Sequence, residues 1–481
     1  MRWLALVLLG GLAACTVGPN YSRPTTPMPA NYSALPKSNA DAPLSMPVVQ
    51  SVDLSAWWKG FHDAELESLI QRALSANLDL LTAASRVQEA REQEIVVGAA
   101  GLPQLNASGN AVRLHSGSNL LQKIGGSSGS SSGSSGPGAS SGGTDLKLYS
   151  LGFDATWEAD IFGGVRRSVE AARAGTEAAR WEMRDGEVSL TAEIAVDYFT
   201  LRSGQARLAI LAAQEKSQAE TLDLVTARAH AGFVTELDVN QQRQLLASTQ
   251  AGRPPLVAET VGMRHALAVL LGKQPGALDA ELKQEAPLPV VPPSLPVGLP
   301  SDLLRARPDI RAAERRLAQA TANIGVAVAD LYPKFDLIAS LAFSGPRLSD
   351  LLSGNNLGEA GLGSIMAPIF HGGQIHANIG AKQEKQKQAY FAYQKAILSA
   401  VQNAEDALTR YDNEQQRFKA LNSAVQTATA STALALQQYR AGLVTYTSVL
   451  QTQSTRLTAE DDLAQSRAAL ITDLVSLYKA L

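Results

Sequence analysis

Tyr149-Ser150-Leu151-Gly152-Phe153-Asp154-Ala155-Thr156-Trp157-Glu158 is the stretch that decides the fold of this 481-residue chain. Tyr149, Leu151, Phe153, Ala155 and Trp157 alternate with polar or small residues, so a strand here carries one apolar and one polar face. Downstream, Phe335, Leu337, Ala339, Leu341 and Phe343 alternate in the same way with Asp336, Ile338, Ser340, Ala342 and Ser344. In a soluble sandwich the apolar faces would need a covering layer, and few residues remain to supply one. Strands about 9 to 11 residues long, apolar outward and polar inward, fit a transmembrane β-barrel instead. Weaker strands are expected at 105–114 and 361–369, giving four per chain. Small barrels need about eight strands and lipid does not tolerate an open edge, so several protomers must share one barrel.

The two strong strands belong to an internal duplication. Ala231-Gly232-Phe233-Val234-Thr235, followed by Val239 and Gln241, returns as Ala441-Gly442-Leu443-Val444-Thr445 with Val449 and Gln451, every pair offset by 210. Pro103 and Pro333, each ending a helical stretch, are offset by 230. The first copy therefore holds 20 extra residues between its proline and its turn, and the almost pure Gly/Ser stretch 125–143 lies in that interval. A flexible surface loop accounts for the difference.

Outward from the strands, the pattern is helical. One helix is expected from Asp63 toward Val97, with Leu66, Leu69, Ile70 and Leu74 on one face, and its counterpart runs from about Asp309 to Leu331. Nothing breaks 165–231 or 375–441, which predicts two helices of 67 residues, each roughly 100 Å long. Gly232 and Gly442 stand where a left-handed C′ residue ends a helix, and Thr235 with Asp238 resembles a capping box that restarts one. Return arms follow at 238–271 and 448–481, the latter with an apolar stripe at Leu463, Leu470, Leu474, Leu477 and Leu481. Ala, Gln, Ser and Thr dominate elsewhere, giving each helix one modest seam and a wet face, as staves of a water-filled tube would have. The resulting domain plan is a leader at 1–14, a tether and equatorial segment at 15–62 with seven prolines between 19 and 47, a first repeat at 63–286, a Pro-rich linker at 287–300 and a second repeat at 301–481.

Composition narrows the function. A net charge of −3 without a basic block provides no footprint for nucleic acid. No run of 18 apolar residues lies outside the leader. That leader has Arg2, an apolar core at 3–9, and Leu12-Ala13-Ala14 before Cys15, the only cysteine, so no internal disulfide forms. The arrangement resembles a bacterial lipoprotein box, which implies that Cys15 is lipidated and becomes the mature N-terminus. Acyl chains at about 0.8 kcal/mol per buried CH₂ would hold it on a membrane. Thr16 stands where an inner-membrane retention signal would place Asp, which points to the outer membrane.

Several motifs in order resemble the outer-membrane factor family, the TolC-like and OprM-like channels, and most closely the NodT-type efflux lipoproteins. They are Cys15-Thr16-Val17-Gly18-Pro19-Asn20-Tyr21-Ser22-Arg23-Pro24; Trp57-Trp58 with Phe61, Asp63, Leu66, Leu69-Ile70, Ala73-Leu74 and Asn77; and Arg307-Pro308-Asp309-Ile310-Arg311 with Ala313-Glu314, Leu317, Ile324-Gly325-Val326-Ala327 and Tyr332-Pro333. The resemblance implies an α+β membrane channel: a homotrimer with a twelve-stranded outer-membrane barrel, four strands per chain, continued by a periplasmic α-helical barrel. Such a channel is the passive exit duct of a tripartite pump, with an inner-membrane transporter of the resistance-nodulation-division class and a periplasmic adaptor as partners. It also implies that the turns bearing Ala231, Gly232, Thr235, Ala441, Gly442 and Thr445 form the periplasmic tips where the adaptor docks and a gate closes. Asp238 matches a tip acid, but the arginine that would tie it is replaced by Val444, and the acidic ring of the second tip by Ser448 and Gln451. A gate less dependent on charge is expected, with Arg440 and Tyr446 as substitutes.

Other patterns lead nowhere catalytic. His371 and His376 lack ligands at metal spacing, and Gly163-Gly164 and Gly372-Gly373 read as strand-to-helix joints rather than nucleotide loops. Glu460, Asp461 and Asp462 read as a solvated charge run. No enzyme, cofactor or metal is expected, apart from covalent lipid on Cys15. The competing readings are a type I secretion channel passing unfolded polypeptides and a lipid-anchored coiled-coil scaffold.

Overall fold

The duplication is visible in the element order. The computed structural model describes residues 16–34, 46–48, 54–116, 144–289, 291–292 and 294–481; Cys15 and the Gly/Ser stretch 125–143 lie outside them. In chain order the elements are β1 (Met46–Val48), α1 (Ala64–Ala76), α2 (Leu78–Ala99), β2 (Gln104–Ser116), β3 (Thr144–Glu158), α3 (Gly164–His230), α4 (Glu236–Leu270), β4 (Ser294–Pro296), α5 (Pro308–Ala329), β5 (Lys334–Gly345), β6 (Leu357–Met366), α6 (Gln374–Arg440) and α7 (Tyr446–Ala480), joined by shorter turns. The helices α3 and α6 each have 67 residues, and α4 and α7 each have 35. β2 and β5 start 230 residues apart but α3 and α6 start 210 apart, which places the extra residues of the first copy within its strand pair.

By packing, the chain forms two units, residues 1–22, 90–175 and 317–388, and residues 23–89, 176–316 and 389–481. Each unit draws on both repeats. The first contains an antiparallel sheet of order β2-β3-β5-β6. Phe153 faces Ala107 on one side and Leu341 on the other, and Trp157 faces Leu337, so the apolar side chains of neighbouring strands share one face. That face is uncovered: Phe153 is 54% exposed, Leu151 48% and Leu341 43%. The other face carries Asp154, whose carboxylate accepts from Ser108 Oγ at 2.9 Å. The fourth strand begins at Leu357 rather than 361, because pairing with β5 fixes Phe343 opposite Leu357 and Lys334 opposite Met366. Pro368, which has no N–H to donate, stands just beyond its end. Glu359 falls opposite Leu341 on the apolar face, which explains why the alternation of this strand was weak.

The start of α3 is built next to that sheet. The Asp160 carboxylate accepts from the backbone N–H of Val165 (3.1 Å) and Arg166 (2.9 Å), capping the helix, and the Phe162 ring stacks on Tyr332 at 4.6 Å. Thr16 to Asn20 seat on this joint. Val17 N–H donates to the Phe162 carbonyl at 3.1 Å, and the buried Arg167 donates to the carbonyls of Val17 and Gly18 and to Asn20 Oδ1. A Cβ on Gly18 would sit 2.5 Å from the Gly325 Cα, so the tether enters this seat only because both positions are glycine.

The second unit corrects two expectations. The first helix is not continuous to Val97: it breaks at Asn77, whose ψ of 129° ends α1. Asn77 Oδ1 accepts from Leu80 N–H at 2.9 Å and starts α2, while Nδ2 donates to the Leu270 carbonyl at the end of α4 at 2.9 Å. Within the tether and the Pro-rich linker, β1 and β4 pair in parallel. Glu460 and Asp461 are not merely solvated: Asp461 takes both a 2.6 Å and a 3.1 Å bond from Arg207, and Glu460 accepts from Gln214 and Arg456 at 2.7 Å. Charge here ties α7 to α3. The core itself is aromatic where the chain enters, with Phe61 on Phe199 at 5.0 Å and Tyr198 Oη donating to Asp63 at 2.8 Å. Along α6 it thins to Ala400, Ala404 and Ala407, small enough for helices to approach closely.

Candidate functional site

The two glycine turns close α3 and α6 with the same hydrogen bonds. Phe233 N–H donates back to the Arg228 carbonyl and Leu443 N–H to the Gln438 carbonyl, both at 2.9 Å. The glycines before them have φ of +76° and +77°, a left-handed conformation that a side chain would strain. Ala231, Gly232, Ala441 and Gly442 are exposed, and Phe233 and Leu443 project at 75% exposure each. In the first turn Asp238 accepts from Thr235 N–H and Oγ1, both at 3.0 Å, so its carboxylate caps α4. In the second, Thr445 Oγ1 and Ser448 Oγ are 3.5 Å apart, a weaker version of the same cap.

Behind the turns, the two hairpins are fastened to each other. Val225, Val239, Ala435, Tyr439, Tyr446 and Val449 form a buried cluster, with the Tyr439 and Tyr446 rings 5.2 Å apart. Tyr446 Oη donates to Gln242 Oε1, and Gln242 Nε2 donates to the Gln218 carbonyl at 2.7 Å. Gln453 Nε2 donates to Thr221 Oγ1 at 3.1 Å. Arg228 lies 4.7 Å over the Tyr439 ring and donates to the Tyr439 carbonyl at 2.9 Å. Burial raises the pKa of both phenols, so neither ionises at neutral pH and the fastening is made of neutral hydrogen bonds plus one arginine.

The structure thus separates the residues singled out from the sequence. Tyr446 is buried at 3% exposure as the bolt between hairpins. Asp238 serves its own turn, while Arg440 and Gln451 are exposed and Arg440 makes no bond to a described residue. Arg228, Gln242 and Tyr439 were not anticipated. A signal for them existed: at the offset of 210 they correspond to Gln438, Thr452 and Ala229, and Tyr446 to Glu236, so the fastening is built where the two copies differ. His371 and His376 are exposed, and among the described residues no group of three or more His, Cys, Asp or Glu could hold a metal.

A four-stranded sheet with an uncovered apolar face, feeding two helical hairpins that meet at paired turns, defines the protomer of an outer-membrane channel. The chain belongs to the outer membrane efflux protein family, whose profile matches residues 69–273 and 299–481. It is 32% identical over 487 residues to the pyoverdine export outer membrane protein OpmQ of Pseudomonas aeruginosa, covering 100% of this chain and 96% of that one. It is 31% identical over 456 residues to nodulation protein T of Rhizobium leguminosarum bv. trifolii, covering 95% and 91%. Among solved structures, the outer-membrane channel OprN superposes with a TM-score of 0.86 at 33% identity over 97% of this chain and 98% of that one. The open state of the Neisseria gonorrhoeae MtrE channel gives 0.80 at 26% over 97% and 98%. The protein is an outer-membrane efflux channel, the exit duct of a tripartite pump, in a family of channels rather than enzymes. The secretion alternative is not favoured.

Proposed function

We propose that the channel is a homotrimer whose three sheets close a twelve-stranded barrel, and that it passively conducts what an inner-membrane transporter of the resistance-nodulation-division class delivers through a periplasmic adaptor. The observation carrying this reading is the sheet itself: β2 and β6 each have a strand on one side only, and one face is apolar. Closure across a β6–β2 seam is tested by cysteine cross-linking. Leu105→Cys combined in turn with Gly361→Cys, Gly363→Cys and Ile365→Cys should yield a trimer ladder under oxidation for at least one pair. Protein that stays monomeric or stops at dimer for every pair overturns the shared barrel.

Cys15 carries the lipid in this reading, anchoring the chain to the outer membrane, with no other cofactor required. Its support is the tight seat of Thr16 to Asn20 beside the Phe162–Tyr332 stack, where aromatic rings suit a membrane surface. Mass spectrometry of the N-terminal peptide should show acyl chains that Cys15→Ala removes. The paired turns are the adaptor-docking tips, with Phe233 and Leu443 as apolar contacts. The closed gate is held by the Tyr446–Gln242 bolt and by Arg228 on Tyr439, and Asp238, Arg440, Ser448 and Gln451 play smaller parts.

A further inference from the structure

Within the second unit, the 3₁₀ turn Trp57–Phe61, a stretch of α3, the start of α5 and the end of α7 line an open cavity of about 590 Å³. One wall is aromatic: Trp57 stacks on Tyr478 at 5.4 Å, Trp58 meets Trp57 edge-on at 5.9 Å, and Trp181 lies among the lining residues. The rest of the lining is mixed, with Leu74 and Val188 beside charged groups such as Asp185, Glu187, Arg307 and Lys479. The volume lies in the range of small-molecule sites, about 300 to 1,000 Å³.

Two polar groups at this cavity bear on a ligand, beside Glu187 and Lys479, which also line it. The Trp58 Nε1–H is buried without an acceptor. Asp185 is half-buried and makes no hydrogen bond or ion pair with any described residue. Of the cations lining the cavity, Arg307 is held by Asp309 at 2.7 and 3.0 Å and by the Ala480 carbonyl, Arg184 lies 4.5 Å over the Trp181 ring, and Lys479 is exposed and forms no ion pair with Asp185. Burial pushes the Asp185 carboxyl above its ordinary range, with Asp309 adding to the rise and Arg307 and Lys479 opposing it. An indole N–H calls for an acceptor, an unpartnered carboxylate calls for a cation, and indole faces attract cations.

We propose that this cavity binds a small organic ammonium ion that also carries an apolar body and a hydroxyl or carbonyl oxygen. The ammonium sits at Asp185, the body lies among the aromatic rings, and the oxygen accepts from Trp58. Nothing in this assignment depends on the gate or on the trimer, so its failure would leave the channel reading intact.

Three of the five tryptophans of the chain line the cavity, so intrinsic fluorescence reports on it. The probe is benzyldimethyl(2-hydroxyethyl)ammonium, titrated into the full-length protein in lipid nanodiscs. Saturation with a Kd at or below about 1 mM is expected for a ligand of this size. Asp185→Asn should weaken it by about tenfold or more. Trp58→Phe, which keeps an aromatic side chain but replaces the indole by a smaller phenyl ring without the N–H, should also weaken it, and this second variant covers the case in which Asp185→Asn perturbs folding. Benzoate and benzyl alcohol should bind more weakly than the ammonium. The proposal is overturned if the probe does not saturate by about 20 mM, if benzoate or benzyl alcohol binds as well, or if both variants bind like the parent.

Discussion

Tyr446→Phe isolates one hydrogen bond at the tip. The ring stays in place against Tyr439 and Val449, so packing is nearly preserved, and only the bond to Gln242 Oε1 is lost. Gln242 is completely buried, so water cannot replace the missing donor. A buried acceptor left unsatisfied costs about 1 to 3 kcal/mol, which shifts the fastened-to-released ratio of each protomer by a factor of about 5 to 150. Higher leak conductance in planar bilayers is therefore expected, together with increased vancomycin sensitivity of cells carrying the variant. Adding Gln242→Leu removes the stranded acceptor. The Gln218 carbonyl that loses its donor belongs to a helix, so the double variant should leak less than the single. A Tyr446→Phe channel that conducts like the parent, or a double variant leakier than the single, would refute the bolt.

Asp238→Ala should weaken its own turn by about 1 kcal/mol and raise leak less than Tyr446→Phe, because the carboxylate is engaged by Thr235 within the same turn; leak and vancomycin sensitivity unchanged from the parent would exclude a gating role for it. Asn77→Ala removes both the cap of α2 and the donor to Leu270, and a loss of about 1 to 2 kcal/mol should appear as a lower melting temperature. Asp197 has its pKa raised to about 6 by burial and then by Glu193. Its contribution to stability is full below 3.8 and is lost as pH rises through 6. Asp197→Asn should therefore raise the melting temperature at pH 7.5, with the gain shrinking as the pH falls from about 6 to about 4; an equal gain at both ends would show that the cause is not titration.

How much was legible follows the range of the interactions. Alternation in 149–158 and 335–343, the glycine turns and the unbroken 67-residue helices are written in neighbouring residues. Strand periodicity, helix propensity and left-handed glycine act within a turn or a pair, and the residues alone determined them. Repetition at fixed offsets also carried the architecture, because two copies of one local pattern fold the same way.

What only the tertiary structure decided depends on partners far along the chain. Asn77 breaks a helical pattern because the Leu270 carbonyl, an orphan at a helix end, needs a donor. The segments 46–48 and 294–296 are too short to be strands except by pairing with each other. The sequence offers Tyr446 as a candidate gate residue, but only the fold shows it buried on Gln242, 204 positions away. The acids at 460 and 461 read as solvent-facing until Gln214 and Arg207 were brought beside them. In each case the residue type permits two roles, and the long-range partner supplies the free energy that selects one.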